Sequence, residues 1–410
     1  MTIKQESKKL YNWASILDEK TLEQAHATAS MPFVLPHLAL MPDAHLGKGA
    51  TVGSVIPTHK AIIPAAVGVD IGCGMIAVKT QWDEEDLRTN VDLSELRQDI
   101  ERRIPLSAGK YNAELTESAR QRTTDLMWQW HDLREWYNYS WGDDSSPYWS
   151  SSETPDLFAA NWRLQLGTLG SGNHFIEIVV DEESSVWAFL HSGSRGIGNK
   201  IAQHHIKVAQ QLAEKWWIDL PDKDLAYLVE DTPEFDRYIA QLRWAQEFAR
   251  LNREEMMDRT LAALSGAMGE EAGRLEEVNC HHNWTNQENH FGKNLWISRK
   301  GAISAREGEL GLVPGSMGTA SYVVRGLGNK MSFCSSPHGA GREYSRSKAR
   351  KTFSMDELRA AMEGIEWSGS SEFIDEIPSA YKSIDQVMED SSDLIEVVHQ
   401  FSQIVNVKGD

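Results

Sequence analysis

Cysteine is scarce: Cys73, Cys280 and Cys334 are the three in 410 residues. An odd and small number excludes a disulfide framework and fits a reducing compartment. Long apolar runs are missing as well. No segment offers the roughly 18 consecutive apolar residues that a membrane helix needs, and the opening MTIKQESKKLYNW lacks the charged-then-apolar order of a secretory signal. A cytoplasmic location is the expectation. Basic residues are in deficit, 41 Lys and Arg against 60 Asp and Glu, which gives a net charge of −19. That balance argues against a surface coated for nucleic acid or anionic lipid, so any polyanion has to use a local basic patch. There is also no fixed-period repeat, no Pro/Ser linker and no GxxxxGK[ST] phosphate loop.

What is present is an ordinary globular mixture, with 41% hydrophobic and 25% charged residues. The apolar run MPFVLPHLALMPD suits a buried strand, and residues 41–80 carry six glycines between short β-branched runs, which predicts strands joined by tight turns with backbone close to a ligand. WDEEDLRTNVDLSELRQDIERRI has helical spacing, as do residues from about 200 to 278, read as a mainly helical scaffold. Helical stretches are expected again around Met355 to Met362 and Ile384 to Gln403. Six of the 15 tryptophans fall between Trp128 and Trp162, so that about 105–160 reads as a Trp-rich elaboration, with WGDDSSPYWSSSETPD as an exposed loop. The pattern predicts one α+β domain over residues 1–410 rather than two modules.

Chemically capable residues recur in distant glycine-rich turns. VGVDIGCGM sets Asp70 and Cys73 three residues apart, a spacing that lets a carboxylate and a thiolate converge on one cation. His174 in GSGNHF and His191 in LHSGSRG lie at strand ends amid small residues, and His282 in NCHHNW precedes an Asn able to orient a neighbouring imidazole. Alone, each histidine reads as a hydrogen-bonded structural residue and Cys73 as a small buried hydrophobe. Together the five donors exceed what one tetrahedral ion with an open position requires. A two-metal site with a shared ligand follows, with donors suited to Mn²⁺, Zn²⁺, Fe²⁺ or Co²⁺ more than to Mg²⁺ or Ca²⁺.

In SSPHGAGREYSRSKARKTF, His338 precedes a Gly-Ala-Gly turn that would leave its ring accessible at the start of a helix. Arg342, Arg346 and Arg350 follow at i, i+4 and i+8, on one face if the helix begins there. Either a polyanion or acidic neighbours would neutralise them. A histidine at such a turn serves as metal ligand, general acid/base or nucleophile, and spacing alone does not choose among the three.

Taken in order, MPDAHLGKGATVGSVIPT, AAVGVDIGCGM, LGTLGSGNHFIEI, LHSGSRGIG, NCHHNW, RKGAISA, PGSMGTASYVVRG, PHGAGREYSR, AYKSID and a terminal VKG resemble the RtcB family of RNA ligases, from about residue 30 to residue 409. The resemblance implies the family's own α+β fold, short strands around a central cleft with peripheral helices. It also implies a GTP-dependent ligase joining RNA ends with a 3′-phosphate or 2′,3′-cyclic phosphate to 5′-hydroxyl ends, in tRNA splicing or RNA repair. By the same resemblance His338 is the nucleophile that takes up GMP, and Asp70, Cys73, His174, His191 and His282 hold two Mn²⁺ ions, Cys73 bridging them. Asn173, Phe175, Glu177, Ser316, Tyr381 and Lys408 match guanylate contacts, and Arg195, Lys300, Arg342 and Arg346 match positions for RNA or GTP phosphates. Asp43 of MPDAH lies near the metals in the family, its role here left open. The implied partners are tRNA or rRNA fragments and GTP, without a membrane and with the protein a monomer; whether an archease-type activator takes part stays open. Two other readings remain at this stage, a metal-dependent phosphodiesterase and a noncatalytic RNA-end-binding paralogue. The Trp-rich region is expected to pack against the core rather than to stack on RNA bases.

Overall fold

The computed structural model describes residues 3–142 and 149–409. Two antiparallel-dominated sheets carry the architecture. One runs in the order Lys4–Ser7, Leu10–Asn12, Leu38–His45, Val52–Thr58, Lys293–Lys300, Asn283–His290; the other in the order Glu276–His281, Gly74–Asp83, Ser185–Ser192, Phe175–Val180, Ile395–Val407, Ser321–Gly326, Leu310–Val313. Alternation along the strands assigns the faces. Met75, Ala77, Trp187 and Phe189 join Ala39, Met41, Val55 and Ile297 in a core shared by both sheets. The intervening residues Ile76, Val78, Ala188 and Leu190 meet Ile100, Met256, Met257 and Leu264 from helices on the opposite face. The second sheet is therefore buried on both sides, which is why its strands read as nearly continuous apolar runs.

Three helices build the outer layer: Glu117–Trp141, Arg195–Lys215 and Pro233–Met268. The last begins at Thr232, whose hydroxyl accepts from the Phe235 amide, has Pro in its first turn and ends at Gly269 in the left-handed region. It is buried along most of its length, as an apolar pattern on more than one face requires. The Trp-rich segment packs here. Trp130, Trp149, Trp162 and Trp244 are fully buried, and Trp130 meets Trp149 and Trp244 edge to face with ring centroids 5.1 Å from each. Trp128 and Trp136 stay exposed on the outer face of the same helix. Of the expected exposed loop, residues 143–148 lie outside the described residues; 149–154 return to the helical layer, with Trp149 Nε1 and Trp130 Nε1 both donating to the Glu153 carbonyl.

The structure corrects two expectations. Residues 384–403 are not one helical stretch: a helix Ile384–Asp390 gives way to the strand Ile395–Val407, which pairs on both sides. The β-branched alternation of VVHQFSQIVNV fits that central position. The arginine series is not a single helical face either. The helix begins at Arg346, capped by the Ser345 hydroxyl on the Lys348 amide, and Arg342 lies in the preceding extended turn, bridged to Tyr381. A Gly-Ala-Gly turn does not seed a helix; the serine eight residues past the start of the motif does. Among the described residues no helix is long and apolar enough to cross a membrane.

Trp244→Ala removes the ring on which Trp130, Trp162 and Phe248 all close. A loss of about 3–5 kcal/mol is expected, read as a lower midpoint in chemical unfolding; a midpoint equal to the parent's would show that the aromatic layer is not cooperative with the core.

Candidate active site and metal centre

Five side chains from both faces of the second sheet's end meet in one buried space. Cys73 Sγ stands 3.2 Å from His191 Nε2 and 3.4 Å from His174 Nε2. His191 Nε2 stands 2.8 Å from His282 Nε2, and His174 Nε2 3.1 Å from Asp70 Oδ2. They form two groups whose donor atoms lie within 4.8 Å of one another, Cys73–His191–His282 and Asp70–Cys73–His174, sharing the thiol. The sequence grouped these residues, and the fold brings all five together.

The local backbone explains the convergence. Gly72 adopts φ +66°, and a Cβ there would meet the backbone of Gln246 and the side chain of Ala249 at 2.9 Å, so the turn carrying Cys73 presses directly on the long helix. Arg253 of that helix, fully buried, donates to the carbonyls of Gly72 at 2.8 Å and Ser192 at 3.3 Å, each next to a donor residue. Asn283 does not orient an imidazole, as its position suggested. Its Nδ2 donates to the Asp70 carbonyl at 3.2 Å and its Oδ1 accepts from the Gly301 amide at 3.0 Å, because the strand end points it at backbone.

Electrostatics argue for a cation in this space. His174 Nδ1 donates to the Leu169 carbonyl at 2.9 Å and His191 Nδ1 to the Asn173 carbonyl at 3.2 Å, which leaves both Nε2 atoms as lone pairs aimed inward. Among the described residues the buried His282 Nδ1 has no hydrogen-bond partner. Burial holds His191 and His282 well below the usual imidazole range and pushes the Cys73 thiol well above its own. For Asp70, burial raises the carboxyl, but the contact with His174 and the Arg195 guanidinium outweigh it and lower the net value. Imidazole lone pairs, a carboxylate and a thiol converging on one space suit divalent ions, and a coordinating thiol loses its proton.

Beside the donors stands the pair that the sequence left open. Asp43, fully buried in the strand Leu38–His45, accepts through Oδ2 from the His338 amide at 3.1 Å and from His338 Nδ1 at 2.6 Å. The ring of His338 lies 4.5 Å from that of His282. Gly341 allows this approach: at φ +73°, a Cβ would fall 2.3 Å from the Asp43 carbonyl oxygen. Lys382, which no sequence signal identified, donates to the carbonyls of Pro42 at 3.0 Å, Ala44 at 2.7 Å and Ile16 at 2.6 Å, while its amide donates to Gly341. It locks the Asp43 strand to the His338 turn.

A cavity of about 360 Å³ opens over His338. Asn173, Phe175, Glu177, Ser316, Tyr381, Lys408, Arg342, Arg346 and Lys300 line it together with Asp70, His191 and His282. Glu177 accepts from Asn406 Nδ2 at 2.8 Å, and its other oxygen is buried without a partner; burial pushes the carboxyl up to about 8. Lys300, pulled down to about 7 by burial, donates to the carbonyls of Ala65, at 3.1 Å, and Lys48. Arg195 is not at the cavity. It lies behind the donors, with Nη1 3.3 Å from His174 Nδ1 and Nε donating to Thr168 Oγ1 at 3.3 Å. Arg342 and Arg346 are not bare either, since Asp375 and Glu376, both missed by sequence reasoning, pair with them.

A family model described as tRNA-splicing ligase RtcB matches residues 24–409. The RNA-splicing ligase RtcB of Escherichia coli (strain K12) is 47% identical over 393 residues, covering 94% of this chain and 93% of the relative. Archaeal relatives are more distant: the tRNA-splicing ligase RtcB of Pyrobaculum aerophilum is 32% identical over 434 residues, 92% of this chain and 89% of its own, and that of Nanoarchaeum equitans 29% over 454 residues, 96% and 92%.

Cys73→Ser replaces the donor common to both groups with a harder and weaker ligand. Elemental analysis after manganese loading and desalting is expected to find less than half the parent's metal; equal content would contradict a shared thiolate.

Proposed function

The chain belongs to the RtcB family of RNA ligases, and on that premise we propose that it joins RNA ends bearing a 3′-phosphate or 2′,3′-cyclic phosphate to 5′-hydroxyl ends, with GTP as cosubstrate and His338 as nucleophile. The observation that carries this reading is the 2.6 Å contact of His338 Nδ1 with Asp43 beside the five-donor cluster. Asp43 accepts the Nδ1 proton, so Nε2 keeps its lone pair, and the same carboxylate stabilises the positive charge the ring gains on attack. Asp70, Cys73, His174, His191 and His282 would hold two manganese ions, which when bound supply Lewis-acid neutralisation of the charge developing on phosphoryl oxygens.

Attack of His338 Nε2 on the α-phosphorus of GTP forms the N–P bond and expels pyrophosphate. An oxygen of the RNA 3′-phosphate then displaces the imidazole, which leaves an RNA–diphosphate–guanosine end, and the 5′-hydroxyl displaces GMP from it. A cyclic end is first opened by water to the 3′-phosphate. All are displacements at phosphorus, so one charged floor serves each in turn, while the His338 imidazole takes up GMP in the first and leaves in the transfer to RNA. Guanine selection falls to Glu177: a buried carboxylate with one unpartnered oxygen fits the paired N–H groups of a guanine edge, and adenine offers no such pair. Lys408 and Tyr381 close the same end of the cavity. Tyr381 stacks under the Arg342 guanidinium at 4.7 Å, which holds its ring in place.

With α-³²P-GTP and Mn²⁺, the parent is expected to form a labelled protein that is chased into joined RNA, and His338→Ala to form none. Label retained in His338→Ala would overturn the assignment. A pH dependence follows from Glu177. Its carboxyl is protonated in the free site below about 8, whereas guanine requires the anion, so binding releases a proton. Affinity for GTP is therefore expected to be highest above that value and to fall as pH drops through neutrality. Calorimetry in buffers of different ionisation enthalpy would detect the proton, and a Glu177→Gln variant with the same pH profile would contradict the role.

A further inference from the structure

In a chain of net charge −19, two carboxylates buried beside a site for polyanions need a reason. Asp375 and Glu376 lie in the short turn Ser371–Glu376, nearly free of solvent, and each would repel an incoming phosphate. Asp375 pairs with Arg346 and Arg350, and Glu376 with Arg342 and Arg346 and, through Oε2, with the Tyr381 hydroxyl at 2.5 Å and Lys408 Nζ at 3.5 Å; the three arginines are held differently. Arg342 is used up: Nη1 meets Glu376 at 3.4 Å and the Tyr381 hydroxyl at 3.2 Å, Nη2 donates to the Asp375 carbonyl and Nε to the Tyr344 carbonyl. Arg350 is used up as well, with Nε and Nη2 on Asp375 Oδ1 at 3.2 Å and Nη1 on Glu372 at 3.5 Å.

Arg346 differs. Only its Nη1 is engaged, 3.1 Å from Asp375 Oδ2 and 3.0 Å from Glu376 Oε1. Among the described residues its Nε and Nη2 meet no acceptor, and Nη2 lies against Gly172, 2.9 Å from where a Cβ would be. The guanidinium is half exposed and stands where two cavities join: the one over His338 and a neighbouring one of about 450 Å³ that also reaches Asp70 and Asn173. A guanidinium gripped at one nitrogen by two carboxylates presents its opposite edge in a fixed plane, which is the geometry a phosphate requires for two parallel hydrogen bonds.

We propose that Asp375 and Glu376 are positioning residues for Arg346: they hold its free edge toward the junction of the two cavities, where it takes a phosphodiester of the RNA end, while Arg342 and Arg350 serve as structural counter-cations to the same carboxylates. This rests on the RNA-joining reading above. Arg342 and Arg350 hold the buried carboxylates in place, so the phosphate meets one oriented cation rather than a field of three. Asp375 acts on RNA through Arg346, whereas Glu376 is shared between Arg346 and the Tyr381 and Lys408 side chains.

The test is a double-variant cycle on the full-length protein with a fluorescent 3′-phosphate RNA oligonucleotide, binding read by anisotropy and joining by gel. Arg346→Ala and Asp375→Asn are each expected to weaken RNA binding and raise KM for RNA roughly ten-fold, with kcat changed much less. The double variant is expected to be no worse than Arg346→Ala. Asp375→Glu, which keeps the charge and so the fold, is expected to fall between parent and Asp375→Asn. Additive losses in the double variant, or an Asp375→Glu variant and an Asp375→Asn variant that both bind as the parent does, would overturn the proposal. A parent that carries the GMP label but binds no RNA would also overturn it, whereas a parent with neither label nor joining would bring down the reading beneath it.

Discussion

Two imidazole nitrogens face each other at 2.8 Å at the floor of the cavity, His191 Nε2 against His282 Nε2, with the Cys73 thiol shared between them and the Asp70–His174 pair. Left to themselves such lone pairs repel, and no fold keeps them together without compensation. The structure supplies the compensation from outside inward. Backbone carbonyls hold the Nδ1 protons of His174 and His191, Arg253 clamps the carbonyls of Gly72 and Ser192, and Asn283 ties Asp70 to Gly301. The long helix Pro233–Met268, with its aromatic layer, is the rigid surface against which these clamps work.

The same logic organises His338 and the proposed phosphate side. His338 depends on Asp43, and Asp43 on a strand that Lys382 grips at the carbonyls on either side. Buried polar side chains here find partners of their own: Lys382 meets carbonyls, Asp375 and Glu376 meet arginines, and Glu177 meets the Asn406 amide with Lys408 nearby. An acidic protein thereby presents a basic edge to RNA without a basic surface, because the local field at a cleft outweighs net charge over the short range that salt leaves unscreened.

How much of this could be read from the chain follows from where each residue signals. Four of the five donors were legible because Asp70, Cys73, His174 and His191 are ligating types set in or beside glycine turns, a combination that packing alone does not call for; His282 stood out only by the Asn that follows it. His338 was legible by its turn, but its partner was not: Asp43 lies 295 positions away, and only the tertiary fold joins them. Arg253 and Lys382 gave no sign, since a cation inside a helical block or after a tyrosine reads as surface. Asp375 and Glu376 looked like two more acids among 60. The last strand was masked by the acids and the helix before it, and its place between two partners is a long-range fact. Periodicity reports on faces; it does not report on which distant backbone carbonyl a buried cation will find.

The account turns on His338 Nε2 being the atom that takes the guanylate. The direct measurement is to incubate the protein with GTP and Mn²⁺, digest it under mildly alkaline conditions and locate the adduct by mass spectrometry. The account predicts a single GMP-bearing peptide, modified on the ring of His338. The competing nucleophile in the same cavity is Lys300, whose amine burial brings down to about 7; an adduct on that lysine would contradict the mechanism.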